Sequence, residues 1–393
     1  MGHLIAGIIG AALWKALESG WKLLRKRGRI KKIGHAGTYS HELNWKLRRP
    51  SREVKFLLET QNNPSPFYSF DCIEIFWRRI GWGSEEIGVR PFAPINLLLT
   101  DDLRPFADPD KTGVSGDNMP KFSLRNWEEF PSDAIKGNEP SLFFEFCKSD
   151  WYTLHPLQLQ LKVVSPFPGS EPIEMWRHFG PRLLNDPIRY PNMCCSQVVL
   201  ITSDDKVLGT IRSKNVVYYK SRISCSFEET LSCEKSDWED IDKNPIEAAI
   251  RGFGEELLSE AEHKNVKVRE YARPFVKNAK LLGSFIEAKW LAIGFTVLIE
   301  TNIKSDELKK KMSEARDRTE REDWIFFYDY DLETLLHLVC RDKPEERFFW
   351  HPTSPIRIWH LLLHKWGAVK VSEAVEKLGL DEMPLNPYEE PRE

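Results

Sequence analysis

Residues 245–260 contain charged side chains with the types and spacing of a metal-binding helix. If this segment, PIEAAIRGFGEELLSE, is helical, then Glu247, Arg251 and Glu255 lie four apart on one flank, and Glu256 is next to them. Apolar residues at spacings of four, three and four form a separate stripe. Carboxylate oxygens are the ligands that hard divalent cations prefer. The pattern therefore predicts a helix that buries one side and presents a carboxylate cluster on the other.

The start of this helix is marked by two residues. Asn244 is a good N-cap, and Pro245 is a good first helical residue. Inside the helix, Gly252 and Gly254 each lower its stability by about 0.8–1 kcal/mol relative to Ala. We therefore expect the two glycines to admit close packing of a neighbouring backbone.

Strands are predicted before and after the helix. Two apolar runs, 197–202 and 207–212, are joined by a polar turn and predict a hairpin. The other elements predicted in this part of the chain are strands at 216–219, 223–227, 280–288, 291–300 and 324–328, an acidic loop at 228–244, and helices at 304–316, 332–340 and 355–366. This order predicts a mixed sheet with helices on its faces.

The order of these parts resembles the Nudix hydrolase family over residues 191–340. The resemblance is carried by the hairpin QVVLITSDDKVLGTIRS, by VVYYKSRISCSFEE where the family has a glycine-rich strand, and by the box-like run AAIRGFGEELL. The family's box has Arg, Glu, an apolar residue, any residue, and then a Glu-Glu pair. The residues of this chain that match it in register are Arg251, Phe253, Glu255 and Glu256.

The chain departs from the family's box at several positions. Gly252 stands where the family has a Glu, and Leu258 stands where it has a Gly. Upstream, Lys243 replaces another Glu of the box and Asp237 replaces its first Gly. Three nearby acids would replace the missing carboxylate of the box if the loop folds back over the helix: Glu239, Asp240 and Asp242. The missing carboxylate at Gly252 removes one expected metal ligand.

The resemblance implies a site for Mg²⁺ or Mn²⁺, in which Glu255 and Glu256 are metal ligands and catalytic residues. It also implies that Arg251 holds a box carboxylate in place, with Glu247 within helical reach of its side chain. Further expected ligands or bases are Glu229 and Glu322, and beside them Glu228 and Glu320.

The implied function is divalent-metal-assisted hydrolysis of a nucleoside diphosphate linked to another moiety, by an enzyme of the pyrophosphohydrolase type. The alternative is a non-catalytic nucleotide sensor of the same fold, coupled to the N-terminal helix. A third interpretation is a structural interaction protein. The expected partner of the first two is a nucleotide-type small molecule. No nucleic acid is expected, because the net charge of the 393-residue chain is −3.

Residues 1–33 predict a helix that associates with a membrane, with copies of itself or with the rest of the chain. The apolar run LIAGIIGAALW is too short to span a bilayer, and RKRGRIKK after it would be attracted to anionic lipid. Gly7 and Gly10 permit close helix contact, which would favour a homo-oligomer. A cleaved signal peptide fits less well, because the positive charge follows the apolar run. Seven cysteines without a CxxC pair indicate a reducing compartment, so the expected location is cytoplasmic, at the inner face of the membrane if the helix binds lipid.

The predicted fold class is mixed α+β and α/β: a Nudix-like α/β/α sandwich with a mixed sheet, preceded by an α+β region and an N-terminal helix. The predicted divisions of the chain are 1–33, an amphipathic helix with a basic cluster; 34–190, an α+β region; 191–345, the Nudix-like domain; and 346–393, C-terminal helices and tail. Within 34–190, strands are predicted at 54–58, 70–77 and 141–147, and a loop at 105–120.

Other metal-ligand types occur without a complete motif. His360 and His364 have metal-ligand spacing, but HLLLH lacks the catalytic Glu of a metalloprotease. We expect them to flank an apolar stripe, with one histidine turned to solvent. His155, near Asp150, is expected to be structural. A zinc site would require the fold to bring together four cysteines: Cys194, Cys195, Cys225 and Cys233. Their spacing in the sequence fits known zinc sites poorly.

Overall fold

The structure is a computed structural model. It describes residues 72–75, 81–94, 120–130, 140–150, 154, 192–214, 216, 219–233, 241–258, 266–287, 292–315, 321–340, 349–351 and 353–379. The predicted helix in 1–33 and the predicted strand at 54–58 lie outside these ranges. Among the helices within them, none is both long enough and apolar enough to cross a membrane.

The larger of two sheets is mixed, and its two central strands are almost completely buried. Its described strands are β1 (Cys72–Ile75), β5 (Met193–Ile201), β6 (Lys206–Arg212), β7 (Arg222–Cys225), β8 (Glu228–Thr230), β9 (Val276–Glu287), β10 (Ala292–Thr301), β11 (Arg321–Asp329) and β12 (Phe349–Trp350). At its centre β5 runs parallel to β10, and β10 runs antiparallel to β9. All nine residues of β5 are buried, as expected for a strand covered on both faces.

Both predicted hairpins are present. The strands of the first, β5 and β6, are joined by a tight turn in which the amide of Thr202 donates to the carbonyl of Lys206 over 2.9 Å. Asp205 in this turn has φ 54°, a conformation that aspartate tolerates. The second hairpin consists of β9 and β10. Each of these strands except β10 is longer than predicted, because apolar runs mark the centre of a strand better than its ends.

Helices cover both faces of this sheet. The described helices are α1 (Pro245–Leu257), α2 (Val268–Ala272), α3 (Ser305–Ser313), α4 (Leu332–Cys340) and α5 (Ser354–Leu378). On one face, α1 and α3 pack in one core with Val198 and Phe295. On the other, α4 and α5 pack in a second core with Val199 and Leu298. Alternate residues of β5 point to opposite faces of the sheet, so this strand contributes side chains to both cores.

The smaller sheet packs against the α1 side of the larger one. Its strands are β2 (Ile87–Pro94), β3 (Pro120–Glu129) and β4 (Leu142–Asp150), in the order β2-β4-β3. The ring centroids of Phe144 and Phe295 are 5.1 Å apart across the junction, and Ser123 Oγ donates to the carbonyl of Asn192 over 2.5 Å. The part of 34–190 that the structure describes therefore shares a core with 191–345.

Three predicted elements differ from the structure. The loop predicted at 228–244 begins with a strand, β8 (Glu228–Thr230). The strand predicted at 216–219 is not formed at its described residues; Tyr219 and Ser221 have φ near 50° and 55° and belong to a turn before β7. The helix predicted at 355–366 continues as α5 to Leu378, with a break at Gly367, whose φ is 75°. The predicted end at residue 366 thus coincides with this break in helical geometry, but a second helical segment follows directly.

Candidate functional site

The helix α1 begins and packs as its sequence predicts, but its acidic flank is not open to solvent. Asn244 Oδ1 accepts the amides of Ile246 at 3.0 Å and Glu247 at 3.1 Å, which caps the helix. Every residue from Pro245 to Leu257 is buried. The expectation of a carboxylate cluster presented on an open face is therefore wrong, because β8, α2 and the smaller sheet cover that side.

Arg251 lies at the centre of the acidic residues. Its guanidinium is 2.9 Å from Glu255 Oε2, 3.0 Å from Asp242 Oδ2 and 3.1 Å from Glu229 Oε1. It also donates to the carbonyl of Thr230 over 2.8 Å. Burial lowers the pKa of Arg251, but these three carboxylates raise it above the ordinary value for arginine. The side chain is therefore a permanent cation shared by a helix, a strand and the loop between them.

Asp242 is the acid that the folded-back loop brings to the helix. Its side chain is fully buried, and Arg269 Nη2 of α2 lies 2.6 Å from its Oδ1. It also accepts the amide of Ser232 over 2.7 Å. Of the three acids expected as substitutes, Glu239 and Asp240 lie outside the described residues.

Glu247 is paired differently from the expectation. It lies one helical turn before Arg251, yet its Oε2 is 2.6 Å from Arg273 Nη2 and 3.7 Å from Arg269 Nε. Ser84 Oγ donates to its other oxygen over 3.3 Å. The expectation that Glu247 supports Arg251 is corrected on this point, because Glu247 pairs with Arg269 of α2 and with Arg273, which directly follows α2.

The two glycines of α1 allow its neighbours to approach closely, as predicted. A Cβ at Gly252 would be 2.8 Å from Glu229 Cβ, and a Cβ at Gly254 would be 2.4 Å from Val268 Cγ1. Real Cβ atoms essentially never have contacts this short. The side chain of Glu229 thus occupies the space beside Gly252, where the resemblance led us to expect a helix carboxylate.

Lys121 enters the same cluster from the smaller sheet. Its Nζ donates to Thr230 Oγ1 over 2.8 Å. Burial lowers the pKa of Lys121, and the charge of Glu229 opposes this shift. Sequence reasoning missed this residue because β3 is remote from α1 in the chain, and a single lysine in a strand carries no motif.

Two further expected site residues, Glu256 and Glu322, lie on different elements of the fold. Glu256 is buried, and its main-chain carbonyl accepts Arg321 Nη1 over 2.6 Å at the end of α1. Glu322 is on β11 and accepts the amide of Lys214 over 3.0 Å, so it fixes the loop after β6. Glu320 lies outside the described residues.

The donor set around α1, as arranged, does not fit Mg²⁺ or Mn²⁺. Such ions require several oxygen ligands in near-octahedral geometry. Within the described ranges, no group of three or more His, Cys, Asp or Glu side chains is placed to hold a metal ion. Glu255 and Glu229 instead share Arg251. A metal on Glu255 and Glu256 stays a prediction, and it requires Arg251 to release its partners.

A second buried polar cluster, which the sequence did not reveal, lies on the other face of the sheet. The guanidinium of Arg357, on α5, is fully buried and ion-pairs with Glu228. It donates to the carbonyl of Cys225 over 2.8 Å and to Thr353 Oγ1 over 2.6 Å. The sequence does contain one indication of this cluster, because an arginine lies within the apolar run of α5. Burial of a charged side chain costs free energy unless an opposite charge pairs with it, so a carboxylate partner could have been expected.

His351 completes this second cluster. Its Nδ1 accepts the amide of Thr353 at 3.2 Å, and its Nε2 is 3.3 Å from Glu228 Oε1. Burial lowers the pKa of His351 well below its ordinary value. The imidazole is therefore neutral at pH 7, with Nε2–H directed at Glu228. Burial raises the pKa of Glu228, but His351, Arg212 and Arg357 bring it down to about 2.

The other histidines and cysteines have structural surroundings. His360 is buried, and its Nδ1 is 2.7 Å from Thr296 Oγ1, whereas His364 is partly exposed beside Gly81. This matches the expectation for the HLLLH pair. The cysteines whose side chains the structure describes are free and buried: Cys147, Cys194, Cys195, Cys225 and Cys233. Burial raises the pKa of Cys225 to about 12. His155 and the side chain of Asp150 lie outside what the structure describes.

No protein-family model matches the chain, and no curated protein matches it. Among solved structures, the chain is similar to that of DR0079 from Deinococcus radiodurans, with 12% identity over 37% of this chain and 71% of that chain and a TM-score of 0.23. A TM-score of this size supports no inference about fold or function.

Proposed function

We propose that this chain is a non-catalytic module with a Nudix-like domain, which binds a nucleotide-type ligand without hydrolysing it. The absence of catalysis is supported by the number of carboxylates that Arg251 engages. The resemblance implies that this arginine holds one box carboxylate, whereas its guanidinium ion-pairs with Glu255, Asp242 and Glu229. Two of the expected metal ligands, Glu229 and Glu255, are thereby neutralised by the same cation.

The Nudix-like character rests on the resemblance across residues 191–340, and the mixed sheet with helices on both faces is compatible with it. The nucleotide class of ligand rests on the same resemblance. Since the α1 carboxylates are engaged, the ligand would be held by the loops and by 34–190. Coupling of occupancy to the helix predicted in 1–33, at a membrane or within an oligomer, is part of this proposal.

Metal-assisted hydrolysis of a nucleoside diphosphate derivative is the second candidate. One observation favours it: Glu229 brings a carboxylate to the side of Gly252, where the box of this chain lacks one. Glu229 would then join Glu255 and Glu256 as ligands. This requires Arg251 to withdraw from Glu229 and Glu255 when the metal binds.

The two functions are separated by measuring binding and turnover on the same full-length protein. Nucleoside diphosphate derivatives would be titrated by calorimetry without a divalent metal, and product release would be followed by chromatography with Mg²⁺ or Mn²⁺. We expect saturable binding without metal and no product. Product that disappears in Glu255→Gln and Glu256→Gln, but persists in Glu333→Gln on the exposed face of α4, would establish the hydrolase instead. Absence of both binding and product would favour the structural interaction protein.

A further inference from the structure

A group of charged and aromatic side chains lies where α5 crosses one end of the larger sheet, on the face opposite α1. Asn278 and Lys280 of β9 are half-buried and point to the same face, because they are two residues apart in a strand. Glu300 of β10 pairs with Asn278 in the ladder, and Asn278 Nδ2 donates to Glu300 Oε2 over 2.8 Å. The amide therefore holds the carboxylate in place at the end of the sheet.

His364 of α5 reaches the same place from the helix that covers these strands. It packs against Gly81, at which an added Cβ would be 2.8 Å from His364 Cε1 and 3.6 Å from Lys280 Cδ. Gly81 has φ 90°, a conformation that glycine adopts without strain. Burial lowers the pKa of His364, Lys280 lowers it further, and Glu300 opposes this shift. The imidazole is therefore neutral at pH 7 and lies within electrostatic range of both an ammonium and a carboxylate.

Two aromatic rings and a second lysine complete the cluster. The ring centroids of Tyr330 and Trp366 are 5.5 Å apart, and Lys365 Nζ is 5.0 Å from the centre of the Tyr330 ring. Burial raises the pKa of Tyr330, and the negative charge of Glu300 raises it further, so the carboxylate is also close to this ring. Lys365 is exposed, and the helix breaks two residues later at Gly367. The cluster can therefore be reached from solvent beside this break.

The charged groups of this cluster do not neutralise one another. Among the residues that the structure describes, no carboxylate lies within ion-pair distance of Lys280 or Lys365, and Glu300 has Asn278 as its hydrogen-bond partner. A half-buried charge without an opposite charge beside it has lost solvation that a ligand can replace. Two ammonium groups can bind an anion there, and the carboxylate can accept hydrogen bonds from hydroxyl groups.

We propose that this cluster, called the α5 site, binds a ligand in which a diphosphate group adjoins a hydroxylated ring. The residues of the α5 site that contact the ligand are Lys280, Glu300, Tyr330, His364, Lys365 and Trp366. The two ammonium groups bind the diphosphate, because its negative charges are spread over several oxygens that both can reach. The neutral imidazole donates its N–H to a phosphate oxygen, and the carboxylate accepts a hydroxyl of the ring.

The α5 site also gives a place to the ligand of the proposed function. A nucleoside diphosphate has ribose as its hydroxylated ring, and its base can pack on Trp366 and Tyr330. Gly81 of the α5 site belongs to 34–190, and Tyr330 belongs to the segment directly after β11. The nucleoside part of the ligand rests on the proposed function, whereas the diphosphate part rests on the α5 site alone.

The first test is a calorimetric titration of the full-length protein with inorganic pyrophosphate in the absence of divalent metal. We expect saturable binding that is at least about tenfold weaker in Lys280→Gln and in Lys365→Gln, because each loses a hydrogen bond between two charged groups. The matched control is Lys370→Gln, a change at an exposed position of α5 beyond the break, which should bind like the wild type. Circular dichroism and thermal unfolding establish that each variant is folded.

A second measurement locates the bound anion without any substitution. Lysines would be methylated with formaldehyde and a borane, with and without pyrophosphate, and the extent at each lysine read by mass spectrometry. Pyrophosphate should protect Lys280 and Lys365, whereas Lys370 and Lys377 should react equally in both samples. No binding of pyrophosphate, or equal affinity in the wild type and both folded lysine variants, would overturn the proposal. So would protection that spares Lys280 and Lys365.

The hydroxylated ring is tested with ADP in the same titration. Glu300→Gln should weaken the binding of ADP several-fold, because the charged acceptor of a ribose hydroxyl is lost. The same variant should bind pyrophosphate at least as tightly as the wild type, because a negative charge near the anion is removed. Weaker binding of pyrophosphate in Glu300→Gln, or unchanged binding of ADP, would contradict the role given to this carboxylate.

Failure of this inference is distinguishable from failure of the proposed function. ADP that binds equally to the wild type and to both lysine variants refutes the α5 site and leaves nucleotide binding intact. Pyrophosphate that binds and protects both lysines, while no nucleotide binds, refutes the proposed function and leaves the diphosphate part of the α5 site standing.

Discussion

Glu228 and Glu229 are neighbours on β8, yet each ion-pairs with an arginine on a different face of the sheet. Glu229 meets Arg251 of α1, and Glu228 meets Arg357 of α5. The cause is the alternation of side chains along a strand. A single short strand thereby connects the helical layers on both sides through buried charges.

Replacement of Arg357 by methionine should strongly destabilise the protein. Arg357→Met removes one of the two arginines that ion-pair with the buried Glu228, since only Arg212 remains, and it removes a donor to the carbonyl of Cys225. Loss of one partner from a buried pair costs about 3–5 kcal/mol. The measurement is the free energy of unfolding from urea titration at pH 7. Arg357→Lys should recover little of this loss, because lysine lacks the planar fork that reaches several acceptors.

Arg251 should be equally important on the α1 face. Arg251→Met leaves Asp242, Glu229 and Glu255 without their shared cation, and we expect a loss of about 3–5 kcal/mol in the free energy of unfolding. Arg273→Met is the matched control, because the Arg273 side chain is 53% exposed and its pair with Glu247 is screened by water. That change should cost less than about 1 kcal/mol. Equal losses in the two variants would contradict the central position of Arg251.

The parts of the site that could be predicted from the sequence are local. The cap at Asn244, the first turn at Pro245 and the pair of Arg251 with Glu255 depend on residues within one helix. Lys121 could not be predicted, because its place depends on the register of β3 against the segment after β8. The same reason applies to Glu247, whose arginine partners lie in α2 and directly after it, and the sequence did not reveal that helix.

The elements of the fold that could be predicted are likewise those that depend on local sequence. Apolar periodicity predicted α1, both hairpins and the helix of Leu332–Cys340, because each has a strong pattern of its own. Periodicity did not reveal β2, β3 or β8, which are held by pairing with other strands. In the sequence, Gly252 was only a position at which the chain departs from the family's box. In the structure, Glu229 packs so close to Gly252 that a larger residue would not fit.

Acid should weaken the protein in two separate pH ranges. Burial lowers the pKa of His351 below its ordinary value of 6.5, so below pH 6.5 the unfolded chain takes up a proton that the folded protein does not. Stability therefore falls as the pH decreases from 6.5, by up to about 1.4 kcal/mol per pH unit for this residue. The free energy of unfolding between pH 7 and pH 5 should fall less steeply in His351→Gln than in the wild type.

Glu228 acts at lower pH. Burial opposes its ionisation, but His351 and the two arginines lower the pKa of the Glu228 carboxyl from 4.5 to about 2. Its contribution is fully present above pH 4.5 and is lost as the pH falls through 2, and it amounts to about 3 kcal/mol. The destabilisation caused by Glu228→Gln should accordingly be large at pH 6 and much smaller at pH 2.5. A difference that does not change with pH would contradict the charge-based role.

Adding a side chain at position 252 should destabilise the protein, even though the family's box has a Glu at this position. Alanine favours a helix over glycine by about 0.8–1 kcal/mol, so helix propensity alone predicts that Gly252→Ala is stabilising. The added Cβ, however, would be 2.8 Å from Glu229 Cβ and 3.0 Å from a ring carbon of Phe227, both in a packed core. Overpacking of this kind costs about 1–3 kcal/mol, and the larger Gly252→Glu should cost more. Urea unfolding at pH 7 measures both effects.

The clash can be tested apart from the helix. In the Glu229→Ala background the Cβ of residue 229 remains but its Cγ, which lies 3.0 Å from the added atom, is gone, so Gly252→Ala should be less destabilising there than in the wild type. The double variant should then lose less free energy of unfolding than the sum of the losses in the two single variants. Such a difference indicates a direct contact between the two positions. If Gly252→Ala instead stabilises the wild type, the close approach of β8 to α1 is absent, and space for a box carboxylate remains on the helix.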